Sequence, residues 1–522
     1  MARAVAPLLV LLALVWFLAV GLPGLDRPGL NEDECFFLAP LLEGRTAWML
    51  TPYLGGLKSL LYVPLLGDFP TTPTRIRAPM LVLGIVGLLL TYVTARRFFG
   101  RRTALLAIWL LALDPAMMHH FREDYGPSAL PFVLRILFLL ALLSYRQTGR
   151  SSTAAWTGLI AGLGVWTKFD FSIFLGAALA AGAIFPPSAE RAGGKRAWAM
   201  AAPAFLVGSA PAWMYWLGHP ADVRAYAAPF LGWSWVGFAE KIGALYETTC
   251  GAYPVHQMLG AVFIVTKTTL LPVVFLGGVI SLPALYRRDR ARPSTVELPF
   301  LTATVLLQSA ALLALPYDLD SAHFFTLAPA FHLAIAGLVF FFLDTAFADR
   351  RAAKAAALMV IVPLLITGLI ASWQTSDKLR RKGGAGLWSP RLADLARAAG
   401  RPGDRPVLLD WGMTRPLAAL SGQRTPEELF WRLNGPQLDP AARQSLDALL
   451  QSDRALFIAH APPREIFSWP RRHVAERIAE LGWRYATVSV IADTDRKPLF
   501  VLFRVGPEGQ EAWPDGAAGF SP

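Results

Sequence analysis

The chain has 522 residues, 54% of them hydrophobic and only 16% charged, with a mean hydropathy of +0.43. A soluble domain ordinarily carries about 25% charged residues, so this balance excludes a simple soluble globular protein. The net charge of +12 would suit a nucleic-acid partner, but the basic residues sit in short loops between apolar runs, which is the positive-inside bias of a membrane protein, and nucleic acid is set aside.

Apolar runs of roughly 20 residues, enough to cross a ~30 Å hydrocarbon core, recur through the first two thirds of the chain. They predict about eleven spans, at 5–22, 78–95, 103–118, 127–144, 154–168, 171–185, 197–217, 257–285, 297–315, 324–343 and 355–372. The first run has no clear A-x-A cleavage site and reads as a retained span, not a removed signal peptide. The fifth and sixth are short and equally suit a broken or re-entrant pair buried in protein. Alternate loops are densely basic, with Arg96, Arg97, Arg101 and Arg102, then Arg146 and Arg150, then Arg287, Arg288, Arg290 and Arg292. The intervening loops are longer and poorer in basic residues. This sorting predicts a cytoplasmic N-terminus and an extracytoplasmic C-terminus.

From about residue 373 the composition changes to charged segments punctuated by Pro and Gly. "PVLLD" and "ALFIAH" read as short buried strands, and "YATVSVIA" and "PLFVLFRV" as a β-hairpin. "PEELFWRL" and "HVAERIAELG" carry helical spacing. The predicted architecture is an α-helical polytopic membrane protein. Residues 1–372 form the transmembrane domain, with a long first outer loop at 23–77, and residues 373–522 form a soluble extracytoplasmic α/β domain. Cys35 and Cys250 are too few for a disulfide framework and would form one bond only if both lay outside.

Residues with chemical potential collect in the predicted outward loops. The first holds Glu32, Asp33, Glu34, Glu43, Arg45, Lys58, Asp68, Arg75 and Arg77; "MMHHFREDYGP" adds His119, His120, Arg122, Glu123 and Asp124. "TKFD" supplies Lys168 and Asp170, and "YDLDSAHFF" supplies Asp318, Asp320 and His323. Single charges at a membrane boundary are commonly just solvated, and the three acids after Asn31 would also suit a helix N-terminus. Four loops that each mix carboxylates with cations suggest a site. Transfer from a lipid-linked phosphosugar fits: its phosphate leaving group needs little general-acid help, one carboxylate takes the acceptor's proton, and cations hold the phosphate.

In their order these residues resemble the integral-membrane glycosyltransferases of the GT-C class, in particular the bacterial branch related to protein O-mannosyltransferases and the aminoarabinose transferase of lipid A. "NEDECFFLAPLLEGR" is similar to that family's Asp-Glu motif. The resemblance assigns the catalytic carboxylate to Asp33, with Glu34 beside it orienting the acceptor or a cation. "PYLGGLKSLLYVPLLG" resembles a segment usually reading Lys-Pro-Pro-Leu; Lys58 is kept, while Ser59 and Leu60 replace the prolines. "FREDYGPSAL" falls at a second acidic motif and assigns it to Asp124. "GLGVWTKFDF" and "DSAHFFTLAPAFHLA" resemble later motifs. Lys58, Arg122, Lys168 and His323 are therefore the candidates for binding the donor phosphate.

The resemblance implies an inverting transfer from a polyprenyl-phosphate sugar donor to a glycolipid, polysaccharide or protein acceptor at the surface of the lipid bilayer. A catalytic divalent metal bound by His119, His120 and Asp124 is an alternative, disfavoured because adjacent side chains point about 100° apart on a helix. Arg135 and Lys267 fall within spans and would snorkel or pair with carboxylates. The tryptophans of 213–235 suit an interfacial belt. A transporter or flippase of lipid-linked sugars would commonly carry an internal repeat, and none is evident. A non-catalytic envelope scaffold is the third possibility.

Overall fold

The computed structural model describes residues 2–42, 47–66, 70–187, 194–228, 237–251, 258–259, 270–288, 294–316, 319, 321–347, 349–422, 425–462 and 464–507. Helices dominate. The apolar α1 (Ala2–Gly21) leads into the short α2 (Glu32–Cys35), a small hairpin of β1 (Met49–Thr51) and β2 (Leu54–Gly55), and α3 (Leu57–Leu66). The long helices follow: α4 (Pro73–Phe98), α5 (Arg101–Ala112), α6 (Pro115–Arg122), α7 (Ala129–Thr148), α8 (Ser151–Thr167), α9 (Phe171–Ile184) and α10 (Gly194–Gly218). Then come α11 (Leu270–Arg288), α12 (Ser294–Leu313), α13 (Ala328–Ala346) and α14 (Arg350–Lys382).

Each predicted span overlaps one of these helices. By length and apolarity four of the described helices cross a membrane alone, or five when α5 and α6 count as one span bent by 63°. That bend corrects the expected continuous span at 103–118 and the loop at 119–126. Asp114 caps the new helix, its Oδ1 accepting from the Ala116 N–H at 2.8 Å, and Pro115 has no N–H with which to extend α5. The start of the predicted span 257–285, with Lys267, lies outside the described residues. The fifth and sixth spans are two separate helices. α8 lies close against α10 along a glycine seam, where a Cβ on Gly158 or Gly162 would fall about 2 Å from the carbonyl oxygen of Ala201 or Phe205.

α14 continues ten residues past the expected boundary at 372. Arg380, Arg381 and Lys382 in its last turn suit the negative end of the helix dipole, and Gly383, at φ +68°, ends it. Beyond it come α15 (Leu392–Ala399), β3 (Arg405–Leu408), α16 (Thr414–Ser421), β4 (Glu427–Glu428), α17 (Phe430–Leu433), α18 (Pro440–Leu450), β5 (Ala455–His460), α19 (Ser468–Glu480), β6 (Arg484–Ala492) and β7 (Pro498–Gly506). The strands form one sheet in the order β4-β3-β5-β7-β6, parallel from β4 to β5 and antiparallel from β5 to β6. Both buried strands and the hairpin lie where the sequence puts them. "PEELFWRL" is not a continuous helix: Glu427 and Glu428 pair with β3 as an edge strand and only one helical turn follows. Apolar side chains of this segment, including Leu395, Leu408, Leu417 and Phe430, share one buried core with Phe37, Tyr62, Met80 and Phe121 near the loops of the helical bundle. The sheet is therefore docked on the loops and not tethered at a distance.

Candidate active site

The loop between α1 and α2 has two prolines and little internal pairing, so its carbonyls need outside donors. Two buried arginines supply them. Every N–H of Arg77, on α4, is used: its Nη1 donates to the carbonyls of Leu25 and Pro28 at 3.1 and 2.9 Å, and its Nη2 to that of Gly29 at 3.0 Å. The remaining two bonds form a fork on Glu34, Nε to Oε2 at 2.8 Å and Nη2 to Oε1 at 2.6 Å. Arg122 Nη2 donates to the carbonyls of Gly24 and Arg27. Arg122 is thus committed to bracing this loop, beside Glu123.

The three acids of α2 have three different surroundings. Glu34 closes a capping box with Asn31 and is buried against Arg77; burial raises its carboxyl above the usual range despite that partner. Glu32 is buried beneath Arg415 of α16, and burial outweighs the guanidinium to push its carboxyl up to about 7. Asp33 is only half-buried. Its Oδ2 accepts from the Gly126 N–H at 3.1 Å, which ties α2 to the loop before α7.

That loop is the hub. Asp124, at φ +45°, accepts at Oδ1 from the N–H groups of Ser128 and Ala129 at 3.0 and 2.7 Å, starting α7. Its other oxygen pairs with Lys58 of α3, both side chains being 2% exposed. Lys58 also lies over the Phe37 ring, 4.4 Å from its centroid. Lys168 donates to the Gly126 carbonyl at 2.6 Å and pairs with Asp170 at 3.1 Å. Arg135 of α7 reaches Asp170 at 2.8 Å, so this intramembrane arginine is paired as expected. Burial alone would raise the Asp170 carboxyl, but Lys168, Arg135 and His323 together hold it below the usual range. His323 is thereby near Asp170; its neighbours Asp318 and Asp320 lie outside the described residues, as do Glu43, Arg45 and Asp68.

The backbone of the "YLGG" turn explains how Lys58 and Lys168 come together. A side chain on Gly55 would strike the Trp166 carbonyl at 1.9 Å and one on Gly56 the Ala47 carbonyl at 1.8 Å. Two glycines let β2 lie against the end of α8, where Leu54 pairs with Lys168. The same turn carries Tyr53, which the sequence offered no reason to single out. Burial pushes its phenol up to about 12, with Asp33 and Asp170 adding to the rise and Arg415 opposing it. Tyr53 stacks on Tyr226 at 4.7 Å between centroids. Tyr53 and Arg415 therefore belong to the neighbourhood of Asp33.

The structure does not bring His119, His120 and Asp124 together as ligands. His119 Nδ1 meets Glu123 at 2.9 Å, His120 Nδ1 meets the Tyr125 carbonyl at 2.9 Å, and Asp124 is held by Lys58. Among the described residues no group of three His, Cys, Asp or Glu side chains is arranged to hold a metal. Cys35 and Cys250 are both buried and not joined in a disulfide. The result is a partly buried carboxylate that reaches the surface above buried ion pairs. Such a carboxylate can accept a proton from a group approaching from solvent, while the ion pairs fix its backbone.

Residues 65–216 match the family model described as dolichyl-phosphate-mannose-protein mannosyltransferase. No curated protein matches the chain by sequence. Among solved structures it resembles ArnT from Cupriavidus metallidurans bound to undecaprenyl phosphate, with TM-score 0.60 and 13% identity over 96% of this chain and 98% of that one. It also resembles the oligosaccharyltransferase AglB from Archaeoglobus fulgidus in complex with an inhibitory peptide and a dolichol-phosphate, with TM-score 0.53 and 13% identity over 88% of this chain and 70% of that one. The bent α5–α6 pair, the looped acids over the helical bundle and the docked C-terminal sheet are together an instance of the fold of the GT-C class of membrane glycosyltransferases.

Proposed function

We propose that the protein transfers a sugar from a polyprenyl-phosphate donor to an acceptor at the extracytoplasmic face of the cytoplasmic membrane, with inversion and with Asp33 as the single base. The observation that carries this is the difference in burial between Asp33 and its neighbours: Glu32 and Glu34 are buried, whereas Asp33 reaches the surface and its carboxylate is oriented by the Gly126 N–H. Asp33 takes the proton of the acceptor hydroxyl or amine as that atom attacks the anomeric carbon. The bond to the phosphate oxygen breaks, and the phosphate departs as an anion that needs no proton donor. The lipid phosphates bound in the two similar structures, undecaprenyl phosphate in one and dolichol-phosphate in the other, are of the kind such a donor leaves behind, which supports a site at the membrane surface.

Lys58 and Lys168 are paired with Asp124 and Asp170, so in this proposal they act by exchanging part of that pairing for the donor phosphate. His323 lies beside Asp170 and joins them. Arg122 and Glu34 serve as braces of the loop that carries Asp33. The test is mass spectrometry of envelope glycans and glycolipids from a deletion strain, its parent, and a strain carrying Asp33→Asn. The proposal expects the same product to be missing from the deletion and the Asn strain. A normal product in the Asn strain, with the protein present at parental level, overturns Asp33 as base.

A further inference from the structure

Among the contacts of the C-terminal segment with the candidate site, one reaches α2 itself through a charged side chain. Arg415, at the start of α16, forms an ion pair with Glu32 through Nη1, and its own backbone N–H donates to the other Glu32 oxygen at 3.2 Å. Its guanidinium lies 3.9 Å from the centre of the Phe36 ring. Glu32 precedes Asp33 by one residue and Phe36 follows it by three, so a single side chain grips α2 on both sides of the carboxylate. The Glu32 side chain is 2% exposed and that of Arg415 is 20% exposed, so the contact is nearly closed to water. Glu428 of β4 lies 3.9 Å from the same guanidinium, and a second tie, from the Thr71 N–H to the Ala419 carbonyl at 3.0 Å, joins α16 to the entrance of α4.

A buried ion pair of this kind seldom adds net stability, because both charges are taken out of water; its attested use is to select one arrangement over others. Here the arrangement selected is the position of α2. We propose that Arg415 is a positioning residue of the transfer site, holding the Asp33 turn in its working geometry from the C-terminal segment. This rests on the transfer reading given above. It makes the sheet a working part of the site instead of an appendage: the four-residue helix is too short to be stable alone, and its geometry is completed from 380 residues away in sequence. The neighbouring Tyr53 phenol, which is sensitive to both Asp33 and Arg415, agrees with that closeness.

The experiment uses full-length protein in nanodiscs and the corresponding strains, with wild type, Arg415→Ala, Arg415→Lys and Glu32→Gln. Three quantities are read: amide exchange of peptides covering 29–38 and of β5 and β7, affinity for undecaprenyl phosphate as probe, and the level of the product missing from the deletion strain. In Arg415→Ala the 29–38 amides exchange about tenfold faster while β5 and β7 are unchanged, and product falls at least tenfold, the scale expected when a catalytic group is displaced by a fraction of an ångström. Affinity for undecaprenyl phosphate stays within about twofold, and Arg415→Lys recovers part of the product, since it keeps the charge but loses the planar stack. Glu32→Gln, which keeps the shape, gives a smaller change of the same sign.

Unchanged exchange at 29–38, or equal loosening of β5 and β7, overturns the proposal, because the arginine then holds nothing or only its own sheet. A parallel loss of undecaprenyl phosphate affinity also overturns it, because the arginine then acts on the donor. If no strain lacks any product, it is the transfer reading that fails, and the exchange data still decide whether Arg415 grips the turn.

Discussion

The two faces of α2 make an instructive contrast. Below it, Glu34 meets Arg77 in a fork whose five N–H groups are all used, with both side chains at most 1% exposed. Above it, Glu32 meets Arg415, with one stacked ring and an edge still open to water. The lower contact supplies donors to three carbonyls of the loop before α2, so it is a condition of folding. The upper contact joins two parts of the chain that each have a core of their own beside the one they share, so it governs placement. Adjacent carboxylates of the same chemistry thus serve different ends, and Asp33 lies between them.

The contrast can be broken most forcefully from below. Arg77→Met leaves Glu34 buried without its charged partner and three carbonyls without that donor; a loss of about 3–5 kcal/mol or more is expected, read as failure to recover folded protein in detergent. Asp33→Asn is expected to leave thermal stability nearly unchanged and to lower product formation by about 10²–10⁴-fold, the span of general base catalysis. Tyr53→Phe removes one hydroxyl beside Asp33 and is expected to reduce the rate roughly two- to tenfold, equivalent to about 0.5–1.5 kcal/mol.

The smallest effect is one of pH. Burial raises the Glu32 carboxyl from about 4.5 to about 7 in the folded state, against the opposing pull of Arg415 and with a smaller rise from Glu428. A raised carboxyl favours the folded state fully below pH ~4.5, and that advantage disappears as pH rises through ~7. Glu32→Gln stays neutral throughout. It is therefore expected to match wild type in thermal midpoint near pH 5 and to exceed it near pH 8. A midpoint difference that runs the other way would mean that attraction to Arg415 outweighs burial.

Much of this was legible in the sequence for physical reasons. Apolar runs of membrane length located the helices, and alternation located the hairpin β6–β7, because both signals come from side chains repeating against one environment. The break at Leu113 was also written locally, as Asp-Pro, but a hydropathy window averages over a one-residue signal. The division of labour among Glu32, Asp33 and Glu34 was not legible. It is decided by Arg415 and Arg77, which are distant in sequence, and nothing local separates three consecutive acids. That Arg122 also braces the loop before α2 was not legible, because composition records charge and not the carbonyls its Nη2 meets. Glu427 and Glu428 have helical spacing with their neighbours, but an open sheet edge at β3 outweighed it.

One feature of α14 bears on what can reach the site. Its 33 residues, at ~1.5 Å each, make a rod about 50 Å long, against ~30 Å of hydrocarbon. The surplus leaves one end of the helix outside the hydrocarbon. Its last turn lies against the loop before α2, where Arg27 donates to the Arg380 carbonyl at 3.2 Å. In the transfer reading proposed above, that helix end and the docked sheet together roof the Asp33 turn, and the acceptor approaches along the bilayer surface.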